Sequence, residues 1–122
     1  MLITREYLQS HPDEIFVFGD NQLHKGKKGA AELRDEPNTL GFITKKEPTN
    51  RDEAFYKPGE YEKIFESEMG KLITAIISFP DKTFLISKLG AGLANRFSIF
   101  EKVIEPRLKL FLSKYPNVKF LY

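Results

Sequence analysis

Two glycine-rich segments hold the residues of this chain best suited to chemistry. The first, Gly19-Asp-Asn-Gln-Leu-His-Lys-Gly-Lys-Lys-Gly29, places Gly19, Gly26 and Gly29 where a backbone bends or approaches a ligand closely, with Lys25, Lys27 and Lys28 between them. Free N–H groups at the start of a following helix, together with three ammonium groups, suit an anion and above all a phosphate. The spacing meets neither the P-loop pattern nor the dinucleotide fingerprint, so a solvated surface turn is the competing reading. The second segment, Leu89-Gly-Ala-Gly-Leu-Ala94, follows an apolar run. Small uncharged residues there leave the N–H groups of Leu89, Gly90, Ala91, Gly92 and Leu93 free to form an anion-binding nest, which Asn95 or Arg96 can complete. A plain strand-to-helix connection also favours glycine.

Other residue types add to these loops. Asp20 and Asn21 end the first apolar run, where a carboxylate can bind a base amine or ribose hydroxyl and a carboxamide can fix a ribose or orient a water; Asx turn capping is the competing reading. His24 is the one loop histidine, and without a partner it is only a solvated side chain. Phe55 and Tyr56 can stack on a base or be buried against a neighbouring helix. Lys45, Lys46 and Arg51 can reach phosphates or solvate their loop. The two histidines lie 13 positions apart with no carboxylate cluster beside either, no serine sits in a nucleophile elbow, and the chain has no cysteine. Metal hydrolysis and covalent catalysis therefore lack their parts, and no cofactor is implied.

The elements around the loops follow from periodicity. A lead-in helix capped by Thr4 ends at His11-Pro12. Glu14 to Phe18 reads as the first core strand, Ala30 to Arg34 as a helix of about two turns, and Leu40 to Thr44 as a second strand. Tyr61, Ile64, Phe65, Met69, Leu72, Ile73 and Ile76 keep the spacing of an amphipathic helix over 60–78. Thr83 to Ser87 is a third strand, Phe97 to Tyr115 a helix with Pro106 as a kink, and Asn117 to Tyr122 a closing strand. Helices between strands make crossovers in a parallel or mixed sheet, so the expected fold is one α/β domain over 1–122, three-layered with helices on both faces. In such sheets ligands gather outside the carboxyl ends of the strands, which brings both loops to one pocket.

Composition sets the outer limits. A chain of 122 residues with 41% hydrophobic and 30% charged residues builds one ordinary core. Nineteen Lys and Arg face 17 Asp and Glu, a net charge of +2, which disfavours nucleic acid as the partner. No apolar stretch approaches the ~18 residues of a membrane span, and the absence of cysteine fits a reducing compartment, so a cytoplasmic location is expected. A homo-oligomer is left open.

With both loops in view, the chain resembles the macro-domain-like superfamily. There a strand end containing Asn leads to a glycine-rich loop and helix, and a later strand leads to a Gly-x-Gly phosphate loop. Phe18-Gly-Asp-Asn21 with Gly26 to Leu33, and Leu89 to Ala94, match those features. More narrowly, Ile15-Phe-Val-Phe-Gly-Asp-Asn21, Pro37-Asn38, Gly41-Phe-Ile-Thr-Lys45, Ala54-Phe55 and Gly90-Ala-Gly-Leu-Ala94 are similar to a family of small bacterial and phage proteins. The resemblance implies a macro-domain-like fold and binding of an ADP-ribose-type or cyclic nucleotide. The two anion-ready loops and the lack of a catalytic set lead to the expected function, capture of such a nucleotide signal, in the host cytoplasm as a sponge against immune signalling if the chain is phage-encoded. Gly26-Lys-Lys-Gly29 stands where the superfamily has a run of glycines, which implies extra phosphate charge and binding without cleavage. The rival expectations are an ADP-ribose hydrolase, with Asn21 or Asp20 orienting water, and a non-enzymatic interaction or nucleic-acid-binding module.

Overall fold

The computed structural model describes residues 2–122. Four runs rich in β-branched and aromatic residues form strands β1 (Glu14–Asn21), β2 (Thr39–Lys45), β3 (Thr83–Ile86) and β4 (Val118–Phe120). They pair in the order β2-β1-β3-β4, every pairing parallel. The chain is thus an α/β protein with a four-stranded parallel sheet.

Three α-helices flank the strands. In α1 (Arg5–Ser10) the Thr4 hydroxyl caps the first turn by accepting from Tyr7 N at 3.0 Å. The long helix α2 (Pro58–Ser78) starts with proline in its first turn, where the missing N–H is not needed, and Glu60 Oε1 accepts from Lys57 N at 2.9 Å. Helix α3 (Leu108–Leu112) precedes β4. The 3-4 spacing of Tyr61, Phe65, Met69, Leu72 and Ile76 puts them on one buried stripe of α2, against Val17, Phe42, Phe84 and Ile86 of the sheet and Val103, Ile104, Leu108 and Leu112 of the C-terminal segment. Phe16 and Leu85 point to the opposite face, where Ile3, Leu8 and Leu33 form a smaller cluster. Each fully buried side chain of this kind contributes roughly 1.5–3 kcal/mol.

Strand β2 is an edge, and α2 covers it. The Ile43 N–H donates to Glu68 Oε1 at 2.7 Å and its carbonyl accepts from the Tyr61 hydroxyl at 2.5 Å. Both side chains are buried, so the edge offers no free pair at that residue.

Three elements depart from the sequence expectation. Strand β1 runs on to Asn21 instead of stopping at Phe18, because Gly19, Asp20 and Asn21 still pair with Phe42, Ile43 and Lys45, with a register shift between Asp20 and Asn21. The helix expected over 30–34 is one 3-10 turn, Gly29–Ala31; Arg34 is drawn to Asp20 and the chain turns toward Pro37 before α-helical hydrogen bonds can build up. The helix expected over 97–115 is divided. Residues Phe100–Ile104 are π-helical, with Glu105 N donating to Phe100 O at 2.7 Å, and Pro106, lacking an N–H, separates them from α3. Among the described residues no helix is long and apolar enough to cross a membrane.

Candidate functional site

The strand order fixes where a ligand site can form. From β1 the chain crosses to one side, to β2; it then passes back over β1 to β3 and on to β4. Right-handed crossovers in opposite directions lie on opposite faces, so a crevice opens where β1 and β3 diverge at their carboxyl ends. A cleft of about 700 Å³ occupies this place. That volume lies within the range of small-molecule sites.

One wall is the loop leaving β1, and a buried ion pair sets its shape. The Asp20 carboxylate, 3% exposed, accepts from Arg34 Nη2 at 2.5 Å and Asn21 N at 2.7 Å through Oδ1, and Oδ2 lies 2.8 Å from His24 Nδ1. Burial pushes this carboxyl up, but the Arg34 guanidinium, the His24 ring and the Asn21 N–H together hold it below the usual carboxylate range. Arg34 also donates from Nε to Gly26 O at 2.8 Å and from Nη2 to Lys25 O at 3.1 Å, and it stacks over the Phe18 ring. Asn21 closes the turn from the other end, its Nδ2 donating to Lys25 O at 2.7 Å and its Oδ1 accepting from Leu23 N at 3.1 Å. Gly41 is what leaves room for this arrangement, since a Cβ there would overlap the Asp20 carboxylate.

The facing wall is the loop leaving β3. Gly90 sits at φ +79° against Ile104, Ile99 and Thr44, a position where a side chain would be strained and would force Ile104 to shift. The N–H groups of Leu89 and Ala91, expected to be free, are taken: they donate to Ser87 O at 2.8 Å and Lys88 O at 3.3 Å, closing the turn itself. Among the described residues the N–H groups of Gly92, Leu93 and Ala94 donate to no protein acceptor, and neither do those of Gly26, Lys27, Lys28, Gly29 and Ala30 across the cleft. All eight residues line the cleft. Lys25, Lys27, Lys28, Lys45 and Lys88 line it too, and Asp20, neutralised by Arg34, is the one carboxylate among the lining residues. Lys27 has an acidic neighbour, Asp35, at 3.6 Å. Burial and the nearby Arg96 push the Lys45 ammonium below its ordinary value.

Most of the residues expected at a site thus meet in one place: Gly19, Asp20, Asn21, Lys25, Lys27, Lys28, Gly29, Lys45, Leu89, Gly90, Gly92 and Leu93 all line the cleft. Ala91 is not among the lining residues. Phe55 and Tyr56 are not either, and both are buried. Lys45 Nζ at 4.8 Å and the Arg96 guanidinium at 4.0 Å lie over the Phe55 ring, while Tyr56 packs against Tyr61 and donates its hydroxyl to Gln22 Oε1 at 3.0 Å. Arg96 itself is paired with Asp52, and the Asn95 side chain bonds Glu101 and Phe100 N, so neither completes the nest. His24 has a partner after all, at φ +55°. Arg34, Lys88 and Gly41 were not singled out by the sequence. The nearest signal for Arg34 was a lone guanidinium following a basic loop that ends a strand in Asp. Among the described residues no cluster of His, Cys, Asp or Glu is arranged to hold a metal.

Neither the curated proteins nor the solved structures include a match to this chain. A family model does match, over residues 1–95, a span that contains β1 to β3 and the whole lining of the cleft. The chain belongs to that family, the family of unknown function DUF7831.

Proposed function

We propose that this protein binds a phosphate-bearing nucleotide of the ADP-ribose or cyclic-nucleotide class in the cleft between the β1 and β3 loops, and holds it without cleaving it. The observation that carries this reading is the pairing of two loop walls whose backbone N–H groups lack protein acceptors with five lysines around a single neutralised carboxylate. Such a surface favours a ligand with more than one negative charge, through charge-assisted hydrogen bonds and nest-type backbone contacts. The apolar clusters on both faces of the sheet support a three-layer, macro-domain-like arrangement, and a place among phage proteins that capture a host signal is the biological setting we propose.

Binding is favoured over hydrolysis by what Asp20 and Asn21 already do. The carboxylate is held by Arg34, His24 and a backbone N–H, and the carboxamide is spent on the turn, so neither is free to orient a water. The test is to mix the purified protein with ADP-ribose and with cyclic dinucleotides, remove free ligand, release what is bound by heat and chromatograph it. Recovery of unchanged nucleotide is expected; a cleaved product would point to the hydrolase, and no retained nucleotide would overturn the reading.

A further inference from the structure

The cleft does not stop at its lysines. A second hollow of about 280 Å³ adjoins it, sharing Phe16, Gly29, Ala30, Ser87 and Lys88 as a common wall. Beyond that wall its surface changes character, to Leu2, Ile3, Leu33, Leu121 and Tyr122, with Glu32 as the one carboxylate among its lining residues. A polyanion-binding cleft thus opens directly onto an apolar, aromatic annex. The two aromatics expected to cover a base, Phe55 and Tyr56, are locked in the interior, whereas Phe16 borders both hollows and Tyr122 remains 39% exposed. Tyr122 is also held in place: Lys109 Nζ lies 4.2 Å from its ring centroid and donates to its carbonyl at 3.0 Å.

We propose that this annex is the nucleobase subsite of the same ligand, the base lying against Phe16 and Tyr122 while its phosphates occupy the lysine cleft. The assignment rests on the phosphate reading of the cleft. Each part fits a different portion of a nucleotide: the lysines and free N–H groups its charge, the rings a flat π-face, and exposed Glu32, which is acceptor-only when ionised, an exocyclic amine. The favoured ligand is therefore a nucleotide with an amino-bearing base joined to two or more phosphate charges, in preference to a bare polyphosphate.

Calorimetric titration with ADP and with inorganic pyrophosphate separates the two halves. On the native protein ADP is expected to bind more tightly than pyrophosphate. Tyr122→Ala is expected to weaken ADP by at least about fivefold, the loss of one stacking partner, and to leave pyrophosphate within about twofold. Tyr122→Phe should restore ADP binding, and Glu32→Gln should weaken ADP alone. If Tyr122→Ala leaves ADP unchanged, or weakens both probes equally, the subsite is overturned while the phosphate cleft stands. If the native protein binds neither probe, both the subsite and the phosphate reading fall.

Discussion

Arg34 Nη2 meets Asp20 Oδ1 at 2.5 Å, joining the end of β1 to the segment after the basic loop. Because Arg34 also holds the carbonyls of Lys25 and Gly26, this one pair determines how the loop carrying Lys25, Lys27 and Lys28 faces the cleft. Removing one partner of a buried pair leaves the other uncompensated. Arg34→Ala is expected to cost about 3 kcal/mol in urea unfolding, the lower end for such pairs, because the guanidinium keeps some solvent contact. A loss below about 1 kcal/mol would place the pair with ordinary surface ion pairs and remove its structural role.

The same pair sets a pH dependence. The folded-state pKa of Asp20 is depressed: burial opposes this, but the bonds from Arg34, His24 and Asn21 N prevail. The stability it contributes is fully present above the unfolded value, about 3.9, and is lost as pH falls through the lower folded value. Denaturant midpoints measured from pH 6 down to pH 2 should therefore fall more steeply in the native protein than in Asp20→Asn. Asp35, Glu47 and Glu60 are also held low, but they are common to both proteins and cancel in the comparison. Parallel curves would mean that Asp20 titrates alike in both states.

Gly90 tests the second wall. Alanine there meets a left-handed φ of +79° and the Ile104 side chain together. The two costs, about 1–2 kcal/mol for the backbone and about 1–3 kcal/mol for overpacking, predict a loss of roughly 2–5 kcal/mol for Gly90→Ala, with weakened ligand binding beside it. Gly70→Ala, at an exposed helical position of α2 where a Cβ meets nothing within 4 Å, serves as the stability control and should cost nothing. Equal losses at both positions would contradict the packing described for Gly90.

Replacing Lys25, Lys27 and Lys28 together by alanine should leave stability within about 0.5 kcal/mol per site, since all three are exposed. Nucleotide affinity should drop at least about tenfold, and the drop should shrink as salt is raised and screens the lost charges. Titration at two salt concentrations checks this. Unchanged affinity would remove the loop from the site.

Much of the layout could be read from residue patterns, and the misses have physical causes. The two glycine loops and the α2 stripe are local signals: small residues after an apolar run, and a 3-4 repeat. The sheet order that brings Gly19 to Gly29 and Leu89 to Ala94 together follows from the crossover rule. What was hidden depends on long-range partners. Asp20 looked available for a ligand until Arg34, 14 positions later, took it. Phe55 and Tyr56 sit in a polar stretch, but Lys46 N bonds Ala54 O at 2.8 Å and folds that stretch back on β2, carrying both rings inward. The short turn at Gly29–Ala31 defeated a helix propensity that was real but local.

Thermal unfolding of the native protein with ADP-ribose, ADP and cyclic dinucleotides, each alone, shows whether the cleft holds a nucleotide. A ligand present at a hundred times its dissociation constant stabilises the folded state by about 2.7 kcal/mol, which for a domain of this size raises Tm by about 10 °C. Such a rise with at least one nucleotide, abolished in the Lys25, Lys27 and Lys28 triple alanine variant, is the predicted result. No rise with any of them at millimolar concentration would contradict a nucleotide site in this cleft.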